Sequence, residues 1–181
     1  MIGLILSSSA VAAIVSSVCS YIIQRSALTK SYKQDYYKMV IKKRMECYEY
    51  IETHLEVMKM TTIDYKTGEG YHSMFGFNKE DCRKMQIELL LVISHSMWLS
   101  DAMLKTFTEL NKLILTIDSE LNDDAENNIR VGKRYYKQLS DIRREIEKIL
   151  KVDLQTMYDV DKFLKQRTVD KPVTYEIPKR S

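Results

Sequence analysis

From Ile2 to Ile23 the chain runs for 22 residues without a charged side chain, and Arg25 and Lys30 follow closely. A helix of that length spans roughly 33 Å, enough for the hydrocarbon core of a bilayer. The run therefore predicts a single membrane-spanning helix over residues 1–24. Six serines interrupt its apolar character: Ser7, Ser8, Ser9, Ser16, Ser17 and Ser20. At about 100° per residue, Ser8, Ser9, Ala12, Ala13, Ser16, Ser17, Ser20 and Gln24 share one half of the helix. Val11, Ile14, Val15, Val18, Tyr21 and Ile22 occupy the other half, while Ile2, Ile5, Leu6 and Ile23 blur the division near the ends. Ser8, Ala12, Ser16 and Ser20 recur every four positions, the spacing at which helix backbones approach closely in lipid. Two arrangements use such a face. In one the helices pack dry, each serine bonding its own i−4 carbonyl; in the other a ring of helices turns its hydroxyls to a wet lumen. Both predict an oligomer.

Beyond residue 24 the periodicity is helical throughout. Ile41, Met45, Tyr48, Ile51, Leu55 and Met58 step by three or four. So do Met85, Leu89, Val92 and Leu99, with Ser96 between the last two. Met103, Phe107, Leu110, Ile114, Ile117 and Leu121 form a third stripe, and Ile129, Gly132, Tyr136, Leu139, Ile142, Ile146 and Ile149 a fourth. Four such stripes argue for a helical bundle, and the lack of period-two alternation predicts no sheet. The expected fold is all-α: an N-terminal transmembrane helix continuing into a cytoplasmic bundle of four to five helices over 25–166, then a basic tail over 167–181. Thr61 to Phe77, with Gly68, Gly70 and Gly76, reads as a loop. Asn78 and Ser100 read as helix caps, Asn122 to Asp124 as a turn, and Asp153 as the cap of a short fifth helix reaching Gln166, after a fourth that ends near Lys151.

Charge sets the orientation. Residues 25–44 hold seven basic side chains and one acid, Asp35. The positive-inside rule puts this block in the cytoplasm and the N-terminus outside the inner membrane. Arg25, Lys30 and Lys33 would form a basic collar at the inner mouth of a lumen and bias it toward anions. Residues 162–181 are also basic, at net +4, whereas 45–161 carry −7. Both basic ends suit an anionic lipid surface, and the acidic middle argues against direct nucleic-acid binding. A cleaved signal is disfavoured because no basic side chain precedes the long apolar run. Val18 stands where a lipoprotein signal needs a small residue before Cys19. Three cysteines (Cys19, Cys47, Cys82) with no CxxC pair suggest neither a disulfide framework nor a zinc site.

Catalytic motifs are missing. The chain has no Walker loop, GxGxxG, GxSxG or HExxH. Residues 51 and 92 are Ile and Val, so neither His54 nor His95 completes the Glu-x-x-His of a di-iron bundle. His54, among Glu49, Glu52 and Glu56, reads as part of a solvated face. His72 reads as a loop residue without a partner, and His95 as a packing or capping residue. Helical ribonucleases of the HEPN type place a His four to six residues after an Arg, and no Arg here has one. The reading is therefore no enzyme, no cofactor and no metal. A nuclease site shared between subunits would have to use one of these three histidines. Twelve tyrosines include the pairs Tyr36-Tyr37 and Tyr135-Tyr136, expected at core edges and interfaces.

The layout as a whole, a serine-rich N-terminal membrane helix, a basic neck and a helical body, resembles the small membrane accessory proteins of type VI-B CRISPR loci. That resemblance implies a divergent HEPN-like domain and a ring-shaped homo-oligomer in the inner membrane. It also implies a functional link to an RNA-guided RNA-cleaving effector, whose antiphage action the membrane protein enhances by perturbing the membrane. The missing Arg-to-His spacing departs from an active HEPN nuclease. Two functions stand open on these grounds: an oligomeric pore, and a membrane-tethered adaptor that recruits a protein partner without a channel.

Overall fold

A computed structural model describes residues 2–75 and 79–166. The protein is predominantly helical and divides into two units, Met1–Val40 and Ile41–Ser181. Helix α1 (Ile2–Lys59) supplies the first unit and opens the second. Its length follows from composition: neither Gly nor Pro occurs between Leu4 and Thr67, so nothing in that stretch breaks a helix. In the first unit every residue from Ala10 to Tyr36 is exposed.

The second unit continues with strands β1 (Thr61–Ile63) and β2 (Gly70–His72) and helices α2 (Lys79–Ser94), α3 (Asp101–Glu120), α4 (Ala125–Gln155) and α5 (Val160–Gln166). Helix α3 packs between α2 and α4, and its stripe is the centre of the core. Met103, Phe107, Leu110, Ile114, Ile117 and Leu121 are all buried, as the three-four spacing requires. Each such side chain contributes roughly 1.5–3 kcal/mol of burial free energy. Tyr48, Ile51, Leu55 and Met58 join them from α1, Met85, Leu89 and Val92 from α2, and Leu139 and Ile146 from α4. The Ser100 hydroxyl caps α3 by accepting from the Met103 amide at 3.2 Å, and Asp124 caps α4 by accepting from the Glu126 amide at 3.1 Å.

Four local expectations are corrected. Thr61 to His72 is a two-stranded antiparallel hairpin rather than a loop, with Thr61 opposite His72 and Ile63 opposite Gly70. The β-branched Thr61-Thr62-Ile63 run ends α1, and Gly68 takes the left-handed conformation (φ +72°) that the turn needs. Helix α4 runs on to Gln155, so Asp153 lies inside it and does not cap α5. Met45 is exposed, and its place in the α1 stripe is taken by Arg44 and Cys47, both buried. A strict three-four reading skipped Arg44 because it is charged. Asn78, Gly76 and the tail from Arg167 lie outside the described residues.

Close packing shows at one glycine. A Cβ built on Gly132 would stand 2.8 Å from Phe75 Cβ and 2.9 Å from its ring. The 3₁₀ turn Ser73–Phe75 therefore rests on α4 only because residue 132 has no side chain.

Candidate membrane-facing helix and the polar sites of the body

The stretch of α1 beginning at Ala10 is long and apolar enough to cross a membrane, and none of its most apolar part is buried. Exposed apolar side chains crowd it: Val11, Ile14, Val15, Val18, Tyr21, Ile22 and Ile23. In water this surface would be costly, at roughly 25 cal/mol for each Å². Ala12, Ala13, Ser16, Ser17, Ser20 and Gln24 are exposed on the same helix. Ser8 and Ser9 lie in α1 too, though only their backbone is described.

Helical rotation separates the three basic residues grouped by sequence position. Taking Ser16 as reference, Lys30 lies roughly 40° away, Lys33 about 100° away and Arg25 about 180° away. Lys30 thus continues the serine face, and Arg25 stands opposite to it. The Lys33 ammonium lies 5.0 Å from the centre of the Tyr37 ring, a cation–π distance. Beside Arg25, the Thr29 hydroxyl donates to the Arg25 carbonyl at 3.0 Å, an example of the i−4 bond open to any hydroxyl on a helix.

In the body the polar groups are mostly bound to one another. Arg44 is buried, its guanidinium 3.9 Å from the centre of the Phe163 ring, and its Nη1 donates to the Met157 carbonyl at 3.4 Å. Nearby, Asp153 Oδ2 accepts from the Tyr48 and Ser100 hydroxyls, each at 2.6 Å. Burial and the Asp153 carboxylate together push the Tyr48 phenol well above its ordinary range. One carboxylate therefore ties α1, the start of α3 and the end of α4. Sequence reading missed this cluster, because its bonded partners lie 53 to 113 residues apart and each looks ordinary alone. The only visible signal was an Arg and an Asp at positions where the helical period asks for apolar residues.

The hairpin loop is held by Lys133 of α4. Its ammonium bonds the Asp64 carboxylate and the Thr67 hydroxyl and lies 3.3 Å from Glu69. Chiefly through Lys133, the Asp64 carboxyl is held down at about 2. Lys66 pairs with Glu126 at 2.5 Å across the same open groove, about 600 Å³, which Arg130 and Arg134 also line. Arg134 is paired with Glu120 at 2.5 Å. Most of the groove's cations thus have partners, and it offers little unspent positive charge.

A second groove, about 250 Å³, is apolar. Cys47 and Tyr50 of α1, Leu91 and Val92 of α2, and Trp98 line it, with Lys43, Glu46 and His95 at the rim. Of these, Tyr50 and Leu91 are well exposed. Burial pushes the Cys47 thiol up to about 11, which keeps it unreactive near neutral pH.

The histidines do not meet. His54 is buried, 6 % exposed, with Nδ1 3.8 Å from Glu88, which corrects its reading as part of a solvated face. His72 is 1 % exposed; it packs 4.9 Å from the Tyr136 ring and has Nε2 3.3 Å from the Ser140 hydroxyl, so it does have partners. Burial lowers the pKa of both rings. His95 is exposed, its Nδ1 2.8 Å from the Leu91 carbonyl. Among the described residues no three His, Cys, Asp or Glu converge to hold a metal ion.

No protein-family model matches the chain, no characterised protein matches its sequence, and no solved structure matches its fold.

Proposed function

We propose that the protein is a membrane-anchored homo-oligomer in which copies of α1 line an axial pore, with the N-terminus outside and the body in the cytoplasm. One observation carries the reading: α1 presents an exposed face of Ala12, Ser16, Ser20 and Gln24 beside an exposed apolar face over the same turns. Lipid covers the apolar face. The hydroxylated one has no use for lipid and is served by a neighbouring copy or by water. The setting, perturbation of the inner membrane in CRISPR-associated antiphage defence alongside an RNA-guided nuclease, rests on the resemblance in layout. No catalytic step is assigned. His54 and His72 are too buried to meet an RNA strand, which leaves a shared nuclease site with His95 alone.

Membrane potential in cells expressing the protein tests this reading. Wild type is expected to depolarise them, and Ser16→Leu, which fills the proposed lumen, to abolish the effect. Equal depolarisation by the two proteins would remove Ser16 from the lumen.

A second reading has its own support. The apolar groove between Tyr50, Leu91 and Trp98 is a suitable anchor point for a protein partner, as an adaptor requires. Replacing residues 1–24 by a polyleucine span separates the two: an adaptor keeps its activity, and a pore loses it.

A further inference from the structure

Within the pore reading, on which this inference rests, we propose that a single ring of Lys30 side chains selects for small anions, and that the conducting path extends past the bilayer into the neck of α1. Ser9, Ser16, Ile23, Lys30 and Tyr37 are spaced by seven residues. In a straight helix Lys30 lies roughly 40° from Ser16, and in a left-handed supercoil with 3.5 residues per turn the two coincide. Either geometry turns Lys30 toward the surface that Ser16 faces. Ala13, Ser20, Ala27 and Gln34 form a second seven-residue series beside the first, so small and polar residues, interrupted by Ile23, continue on this face at least to Gln34. All of these from Ala13 onward except Tyr37 are exposed on α1.

Lys30 stands about 10 Å beyond Ile23 along the helix axis, outside the apolar run. Its neighbours one turn away are Ser26, Ala27, Lys33 and Gln34, none of them acidic. Asp35 is the sole acid between Gln24 and Arg44; its carboxylate lies 3.6 Å from the Lys38 ammonium, and rotation puts it about 100° from Ser16. Nothing on the face therefore neutralises Lys30. Repeated around an axis, it makes a ring of like charge that attracts anions and repels cations. Arg25 is nearer the membrane but points away from the path, and Lys33, at the edge of the face, lies against the Tyr37 ring.

The test is the reversal potential of the full-length oligomer in planar bilayers across a potassium chloride gradient. Wild type is expected to favour chloride, with a chloride-to-potassium permeability ratio above one. Lys30→Glu should bring the ratio below one and Lys30→Gln close to one, while Arg25→Glu should leave it near wild type. Conductance without anion preference, or an Arg25→Glu effect equal to that of Lys30→Glu, overturns the inference and leaves the pore standing. A wild-type oligomer that does not conduct overturns both. The Gln variant guards against a failure of assembly in the Glu variant, and a Gln variant that assembles yet keeps the wild-type ratio also overturns the inference.

Discussion

Gly132 has little freedom to change. Its missing side chain lets Phe75 lie directly on α4, and the nearest Phe75 atom is its Cβ, which cannot swing aside as a side-chain tip would. Gly132→Ala improves helix propensity by about 1 kcal/mol but forces overpacking that costs roughly 1–3 kcal/mol. The net expectation is a lower thermal midpoint, measured by the loss of helical circular dichroism. A midpoint equal to or above wild type would mean that the 3₁₀ turn shifts freely. Gly132 was visible in the sequence as a member of the α4 stripe, yet the stripe gave no hint of Phe75, because no local pattern links residues 75 and 132. Arg44 teaches the converse. Its charge argued for the surface, and an aromatic ring supplied from Phe163 of α5 makes its burial tolerable.

At the scale of elements, the helices were legible where a stripe was strict. All six α3 positions chosen by spacing are buried and Ser100 caps α3 as expected, while Asp124, read only as part of a turn, caps α4. The hairpin was not legible, because strands of three residues are too short to show alternation. Two of the contacts between elements are made by histidine. His54 reaches from α1 to Glu88 of α2, and His72 joins β2 to Tyr136 and Ser140 of α4. Burial is the main cause of the lowered pKa in each; Glu88 partly opposes it at His54, and Arg143 adds to it at His72. The folded pKa lies below the ordinary 6.5, so the unfolded chain takes up these protons first. The stability they confer is complete above about 6.5 and is lost as pH falls through the folded values. Urea unfolding at a series of pH values should therefore show a midpoint that drops below pH 6.5. Converting both histidines to asparagine should flatten the drop in that window, and an unchanged slope would place its origin elsewhere.

For the whole molecule, the decisive quantity is copy number. The expectation of an oligomer rests on the serine face alone, for which a lone helix surrounded by lipid would have no use. The unbroken helix through the basic neck was readable too, from the lack of any breaker before Met60, and α1 runs to Lys59. The detergent-solubilised protein is expected to run as a multiple of 21.3 kDa after correction for bound detergent, measured by light scattering. A monomer at all concentrations would remove both the pore and the ring of Lys30.

The Asp153 cluster also sets a timetable. Tyr48 and Asp153 are 105 residues apart, and Arg44 and Met157 are 113 apart, so the body cannot close until nearly the whole chain has been synthesised. Contacts of such separation form late and slowly. Translation proceeds from the N-terminus, so the apolar start of α1 is free long before Phe163 exists. A chain made in this order exposes the apolar start of α1 well before its body can close.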